Sequence, residues 1–204
     1  MKRSLLVFIS LIFVMAYCKK DDTNNNNTGP YTSFPYIKSG AVWTYINSDT
    51  DPGHTGITFE TSYTINSINS GGWCSVSWKL PILTQPITWF VNNSEFSDMG
   101  SEAQNFRFPI IKSPAVLNDQ YSVSFSKSIA AITDTRKVIN LSASTIVPAG
   151  TFSNCVIIHE TTSEDTVYYK DYWIHPQTGI VRMEGTTKED FPVIIIQELK
   201  TKPN

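Results

Sequence analysis

From Trp73 to Leu80 the chain alternates: Cys74, Val76, Trp78 and Leu80 are apolar, while Ser75, Ser77 and Lys79 are polar. Successive side chains of a strand point to opposite faces, so this period of two marks a half-buried β-strand. Tyr121, Val123 and Phe125 repeat the pattern against Ser122, Ser124 and Ser126, and Ile139 and Leu141 alternate with Asn140 and Ser142. Further strands are predicted over residues 42–47, 57–68, 87–91, 154–161, 166–174, 179–184 and 193–199, where Thr, Val, Ile, Tyr and Trp dominate. No helical stripe follows Phe34. Residues 92–118 are rich in Pro and Ser with weak periodicity, which predicts long loops and one short strand near 106–111.

Turn-forming runs separate the strands. Asp49-Thr50-Asp51-Pro52-Gly53, Asn69-Ser70-Gly71-Gly72, Ser163-Glu164-Asp165 and His175-Pro176-Gln177-Thr178-Gly179 are all short. Connections of that length join antiparallel neighbours. The expected fold is all-β: a single antiparallel, strongly curved meander sheet of about nine or ten strands. A sheet of that width curls into a half-barrel or splits into two layers.

The N-terminus has a different character. Lys2 and Arg3 precede an apolar run from Leu5 to Ala16 that only Ser10 breaks. As a helix it would span roughly 18 Å, against about 30 Å for a bilayer core, so it is read as a secretory signal and not as a membrane span. Thr23 to Gly29 is mostly Asn and offers nothing to a core, which makes it a flexible spacer. The chain thus divides into a signal over 1–17, a tether over 18–33 and a β domain over 34–200.

Cys18 closes the apolar run, and Lys19, Lys20, Asp21 and Asp22 follow it. This arrangement resembles that of Bacteroidota-type surface lipoproteins. The resemblance implies cleavage before Cys18, a diacylglycerol on its thiol and an acyl chain such as palmitate on its amine. It also implies a Lys-then-acidic export signal that sends the protein to the cell-surface side of the outer membrane. Phe34-Pro35-Tyr36-Ile37-Lys38-Ser39-Gly40-Ala41-Val42-Trp43-Thr44-Tyr45 resembles the "Phe-Pro, then Gly, then Trp-x-Tyr" opening of uncharacterised members of that group. Val147-Pro148-Ala149-Gly150-Thr151-Phe152-Ser153-Asn154 resembles their "Pro-Ala-Gly-Thr-Phe-x-Asn" turn, and Gly179-Ile180-Val181 their later "Gly-hydrophobic-Val". These matches touch both ends of residues 34–184 and imply a curved-sheet domain without a known activity. Asp165-Thr166-Val167 is similar to the O-glycosylation site of such exported proteins, with Thr166 as acceptor. The motif residues also have plain architectural readings: Gly40 and Gly150 as turn residues, Trp43 and Tyr45 on one strand face, and Phe152 as a plug at a sheet end.

Composition narrows function mainly by exclusion. The 204 residues carry a net charge of −2, so no basic excess invites nucleic acid. The length is short of the roughly 250 residues of an eight-unit βα barrel. His54, His159 and His175 form no His-x-His, His-Glu-x-x-His or Cys-x-x-Cys pattern, so no metal and no cofactor is expected. There is no Gly-x-Ser-x-Gly elbow, and His159 lies roughly 13 Å along a strand from Cys155, too far for a dyad. Glu60, Glu95, Asp98, Glu160, Asp171 and Glu184 remain as carboxylates that a fold might pair for hydrolysis. Cys74 and Cys155 are either an exported-protein disulfide or two buried free thiols. Tyr168, Tyr169, Tyr172 and Trp173 place rings on both faces of one strand, as candidate ligand contacts. The expected function is a non-enzymatic envelope domain, held to the membrane by its N-terminal lipid, that binds a glycan, an apolar ligand or an envelope protein. The alternatives are a small hydrolase using paired carboxylates, and a lipid carrier with a cavity inside a half-barrel.

Overall fold

The computed structural model describes residues 33–49, 58–127, 130–163, 165–186 and 194–203. The strands are β1 (Val42–Asp49), β2 (Thr58–Ile68), β3 (Trp73–Lys79), β4 (Thr84–Val91), β5 (Glu95–Ser101) and β6 (Phe106–Lys112). The chain then continues through β7 (Gln120–Lys127), β8 (Ala130–Val147), β9 (Gly150–Thr162), β10 (Asp165–His175), β11 (Gly179–Thr186) and β12 (Ile194–Thr201). They form one antiparallel sheet in the order β6-β5-β4-β3-β2-β1-β12-β11-β10-β9-β8-β7. The chain therefore winds outward from β1 to β6, jumps to the far edge, and winds back until β12 pairs with β1. Strands β6 and β7 meet without a ladder, so the sheet is nearly closed as a barrel.

The all-β, strongly curved single sheet is as the alternation predicts, but it has 12 strands and not nine or ten. The one strand that falls wholly within residues predicted as loop is β5, in the stretch of weak periodicity. Its register shifts twice against β6, between Phe96 and Ser97 and between Ser97 and Met99. These bulges bury Phe96 and Ser97 in succession and erase the period of two. Pro109 adds to the loop-like character of the stretch; it is tolerated because β6 is an edge strand. Strand β8 is also far longer than the alternation of Ile139 to Ser142 suggests, and there Ile139 and Leu141 are exposed. Three register shifts against β9 break the link between position and face.

One end of the barrel is sealed by the residues of the three sequence motifs. Phe34, Tyr36 and Ile37 fold under the sheet and are almost fully buried. Phe34 and Tyr36 pack on Phe96 with centroids 6.3 and 6.2 Å apart, and Tyr36 meets Trp43 edge-on at 6.5 Å. Trp43 Nε1 donates to the Thr178 carbonyl at 2.8 Å, and the Tyr45 hydroxyl donates to the Ile180 carbonyl at 2.9 Å. From the other half, the β8–β9 hairpin runs past the ends of β7 and β10 and curls beneath the sheet. There Ala149 N–H donates to the Leu199 carbonyl at 2.9 Å, and Phe152 is buried against His175. Phe152 thus plugs a sheet end, as its place after the turn suggests.

Gly179 stands in the middle of this seal. Its φ is +86°, and a Cβ there would lie 2.9 Å from the Tyr36 ring. Gly150, in the β8–β9 turn, has φ +125° with open space around it. Left-handed strain is common to both positions, but only Gly179 adds a clash with the plug. Gly179→Ala is expected to destabilise the domain by about 2 kcal/mol or more, and Gly150→Ala by about 1 kcal/mol. Urea denaturation of the two variants checks the order; an equal loss would show that Tyr36 moves aside freely.

Candidate functional site

Strand β10 carries rings on both faces, and the two faces meet different surroundings. Tyr169 and Trp173 point outward. Tyr169 stacks on His159 at 5.9 Å, and the Arg182 guanidinium lies over Trp173 at 5.4 Å. Tyr168 and Tyr172 point inward, and their hydroxyls donate to the two carboxylate oxygens of Glu160 at 3.3 and 3.0 Å. Tyr172 is buried under this contact. The four aromatics therefore do not make one surface.

Glu160 belongs to a charged row that register alone places inside the sheet. Arg136 of β8, Glu160 of β9, Lys170 of β10 and Gly185 of β11 are consecutive cross-strand partners. Gly185 leaves room for its neighbour, since a Cβ there would come within 2.8 Å of Lys170 Cγ. Arg136 is fully buried. Its Nε donates to Glu160 at 2.7 Å, and its Nη1 donates to Asp98 at 2.7 Å and to the Phe108 carbonyl at 3.1 Å. Its guanidinium lies 4.0 Å from the Phe108 ring centroid. Asp98 and Phe108 belong to β5 and β6, so Arg136 bridges the seam where no ladder exists.

Burial pushes the Glu160 carboxyl up, but the Arg136 and Lys170 charges outweigh it and hold the group at about 2. Burial also acts against the Lys170 ammonium, yet Tyr172 and Glu160 beside it raise it well above its ordinary value. The Tyr172 hydroxyl is raised well above the usual tyrosine range by burial and by the Glu160 charge. At neutral pH the cluster is a closed set of paired charges.

Next to it, toward the end opposite the plug, lies a polar and aromatic lining. Asn47, Thr61 and Gln197 form a buried triad. Asn47 Nδ2 donates to Thr61 Oγ1 at 3.0 Å, and Gln197 Nε2 donates to Asn47 Oδ1 at 3.0 Å. Tyr63 and Trp78, cross-strand partners on β2 and β3, stack in parallel with an interplanar angle of 2° and centroids 5.9 Å apart. Both rings are half-buried. Trp78 Nε1 and Asp134 Oδ1 are buried atoms without a hydrogen-bond partner among the described residues. Half-buried Lys170 lies close enough for its charge to act on the Tyr63 hydroxyl. The alternation places Trp78 on an apolar strand face; its stacking partner and its idle N–H emerge only from the pairing of β2 with β3.

The other candidates fall out as follows. Among the described residues no group of three or more His, Cys, Asp or Glu side chains is placed to hold a metal. His159 Nδ1 lies 2.6 Å from Asp171, while burial and Lys202 lower the His175 ring below its ordinary value. Of the six carboxylates, Asp98 and Glu160 converge on Arg136, while Asp171 and Glu184 are cross-strand partners of β10 and β11, paired with His159 and Arg182 respectively. Cys74 and Cys155 are separate buried free thiols and not a bridge, with burial pushing Cys74 up to about 12. Thr166 is the second residue of β10 and so lies in a strand, not within the turn. Cys18, Lys19, Lys20, Asp21 and Asp22, and with them the signal and tether, lie outside the described residues, as does His54.

The acid sensitivity of the cluster follows from its sign. A carboxyl held near 2 in the fold, against 4.5 ordinarily, stabilises fully above the ordinary value and loses that contribution as pH falls toward 2. Glu160→Gln is expected to be less stable than the unaltered chain by a few kcal/mol at neutral pH, with the difference shrinking steadily from about pH 5 to about pH 2. Urea midpoints across that range test it; a difference constant with pH would rule out an ionised Glu160.

No protein-family model and no curated protein matches the sequence. The fold itself has counterparts. One is the crystal structure of a candidate lipoprotein from Parabacteroides distasonis, 18% identical, covering 84% of this chain and 97% of that one with a TM-score of 0.51. Another is a candidate exported protein with a YmcC-like fold from Bacteroides fragilis, 13% identical, covering 82% and 96% with a TM-score of 0.52. At these identities the likeness establishes a shared fold.

Proposed function

We propose that this chain is a lipid-anchored envelope protein, attached to the outer membrane through Cys18, whose non-enzymatic β domain binds a glycan toward the end of its sheet opposite the plug. The observation that carries the reading is the stacked Tyr63–Trp78 pair, with the Trp78 indole N–H buried and idle among the described residues and the Lys170 charge acting on Tyr63. Sugars suit such a lining, because their C–H faces pack on rings while their hydroxyls take hydrogen bonds. The envelope setting is supported by the signal-like N-terminus, by the Cys18 motif, and by the lipoprotein and exported protein that share the fold.

The hydrolase alternative has less support. A general acid needs a carboxyl whose pKa is raised, and Glu160 is displaced downward by Arg136 and Lys170. A lipid carrier needs a continuous apolar cavity. At the sealed end the described interior is filled by rings, and the crevice between Tyr36, Trp43, Trp89 and Phe96 is about 10 Å³, room for one water at most.

The test is isothermal titration of the whole lipoprotein in detergent against a panel of neutral and acidic oligosaccharides. Trp78→Ala is expected to weaken binding about tenfold or more, equivalent to about 1.4 kcal/mol, while Trp173→Ala on the outer face leaves it unchanged. Failure of every oligosaccharide to bind, or loss with Trp173→Ala alone, overturns the proposal. Thermal melting confirms that each variant is folded.

A further inference from the structure

The β8–β9 hairpin leaves an apolar surface uncovered. Strand β7 pairs with β8 only as far as Lys137, and β8 continues to Val147. Of residues 139–146, only Ala143 and Thr145 are even half-buried. The stretch Ile139-Asn140-Leu141-Ser142-Ala143-Ser144-Thr145-Ile146 contains no charge, no Pro and no Gly. Ile139, Leu141 and Ile146 are 43, 41 and 74% exposed. The 116–119 turn adds to them. Asn118 N–H donates to the Val138 carbonyl, and Val138 N–H donates back to the Asp119 carbonyl, which places Val116 and Leu117, also about half exposed, beside Ile139. Single exposed apolar residues are ordinary, but five on adjoining segments form a patch of the kind that marks an interaction surface.

Its position identifies the occupant. Antiparallel strand order puts the β6–β7 connection, the β8–β9 turn and the entry of the chain at Ser33 all at the sealed end. The 14 residues between Cys18 and Ser33 would span about 20 Å as a flexible chain. An anchor on Cys18 therefore keeps this end, and not the opposite one, next to the bilayer. Exposed Lys38, Lys112 and Lys202 stand at the same end, with Glu95, Asp119 and Glu102, which accepts a hydrogen bond from Asn69 in the β2–β3 turn, as opposing acids.

We infer that this patch docks on the membrane that carries the anchor, with Val116, Leu117, Ile139, Leu141 and Ile146 resting in the headgroup region. The depth is limited by the backbone. Beyond Val138 the outer edge of β8 has no neighbouring strand among the described residues; Asn140 Oδ1 takes the Ser142 N–H, and the other outward N–H and C=O groups need water or headgroups as partners. Docking fixes the orientation of the domain: the sealed end faces the lipid and the polar lining faces away. This inference rests on the anchor reading above and not on the glycan reading.

The experiment uses the full acylated protein reconstituted in vesicles of phosphatidylethanolamine and phosphatidylglycerol. An environment-sensitive fluorophore is placed through Ile146→Cys, and in a second variant through Ile82→Cys at the opposite end. Cys74 and Cys155 are buried and do not compete for label in the folded protein. Brominated lipids are expected to quench the Ile146→Cys probe several-fold more than the Ile82→Cys probe, with a blue shift on passing from detergent to vesicles. A second label at Leu117→Cys is expected to follow the Ile146→Cys probe. Equal quenching of the 146 and 82 probes in a protein whose mass shows the acyl chains overturns the docking alone. A mass without acyl chains overturns the anchor, and the docking with it. A probe at 146 shielded equally by lipids with and without bromine marks a protein partner, such as a second copy, and overturns the lipid assignment.

Discussion

The constraint on which this fold depends is the missing ladder between β6 and β7. Among the described residues eleven ladders hold twelve strands, and the twelfth that would close the barrel is absent. An open edge leaves backbone groups in need of partners and invites other chains. Arg136 answers that need from inside by taking the edge carbonyl of Phe108 and covering the Phe108 ring. A buried guanidinium must itself be neutralised, which requires Glu160 and Asp98. Glu160 in turn takes the hydroxyls of Tyr168 and Tyr172 and draws in Lys170, whose stem requires the bare backbone of Gly185. A single closure problem thus determines residues on β5, β6, β8, β9, β10 and β11. A buried ion pair often adds little net stability over an apolar isostere, but a methyl group cannot satisfy a carbonyl. That need favours keeping the charge.

The interior consequently divides along its length. Toward the plug, aromatic side chains meet edge-on at 5.4 to 6.5 Å and leave almost no free volume. Toward the other end the same strands present Asn47, Thr61, Gln197, Lys170 and Asp134. A small domain could fill that space with more Leu and Val at a gain in burial. Polar groups there cost desolvation, and they are retained with one carboxylate oxygen and one indole N–H left idle among the described residues.

Much of the architecture was legible in the chain because period two is local. Alternation, β-prone composition and turn runs together located segments of eleven of the twelve strands, although the count expected from them was nine or ten and the extent of β8 was missed. The motif residues Gly40, Trp43, Tyr45 and Phe152 took the architectural roles their positions suggest. What failed to show is what bulges and distant pairing create. The double register shift in β5 hid a strand, and the three shifts in β8 placed Ile139 and Leu141 in the open. The candidate site was the least legible part. Arg136 and Asp98 are 38 residues apart on opposite sides of the seam, and no spacing rule links them. Lys170 lies between Tyr168 and Tyr172 in the sequence, but only register with Glu160 gives it an interior role.

The two aromatic surfaces can be weighed by what each leaves unpaired. On the outer face Trp173 is covered by Arg182, which binds Glu184 at 2.8 Å and Glu198 at 3.0 Å, and Tyr169 is covered by His159, which binds Asp171. Apart from the Arg182 Nε, these groups are already matched to one another, so a ligand would have to displace protein contacts to bind them. Inside, the Trp78 N–H is buried and idle among the described residues, and an unmet buried donor costs about 1–3 kcal/mol. A molecule that accepts that hydrogen bond while packing on Tyr63 and Trp78 recovers the loss on binding. Among the described residues Trp78 Nε1 and Asp134 Oδ1 stand idle inside against Arg182 Nε alone outside, so more unmet hydrogen bonding is open to a ligand in the polar half of the interior than on the ringed outer face of β10.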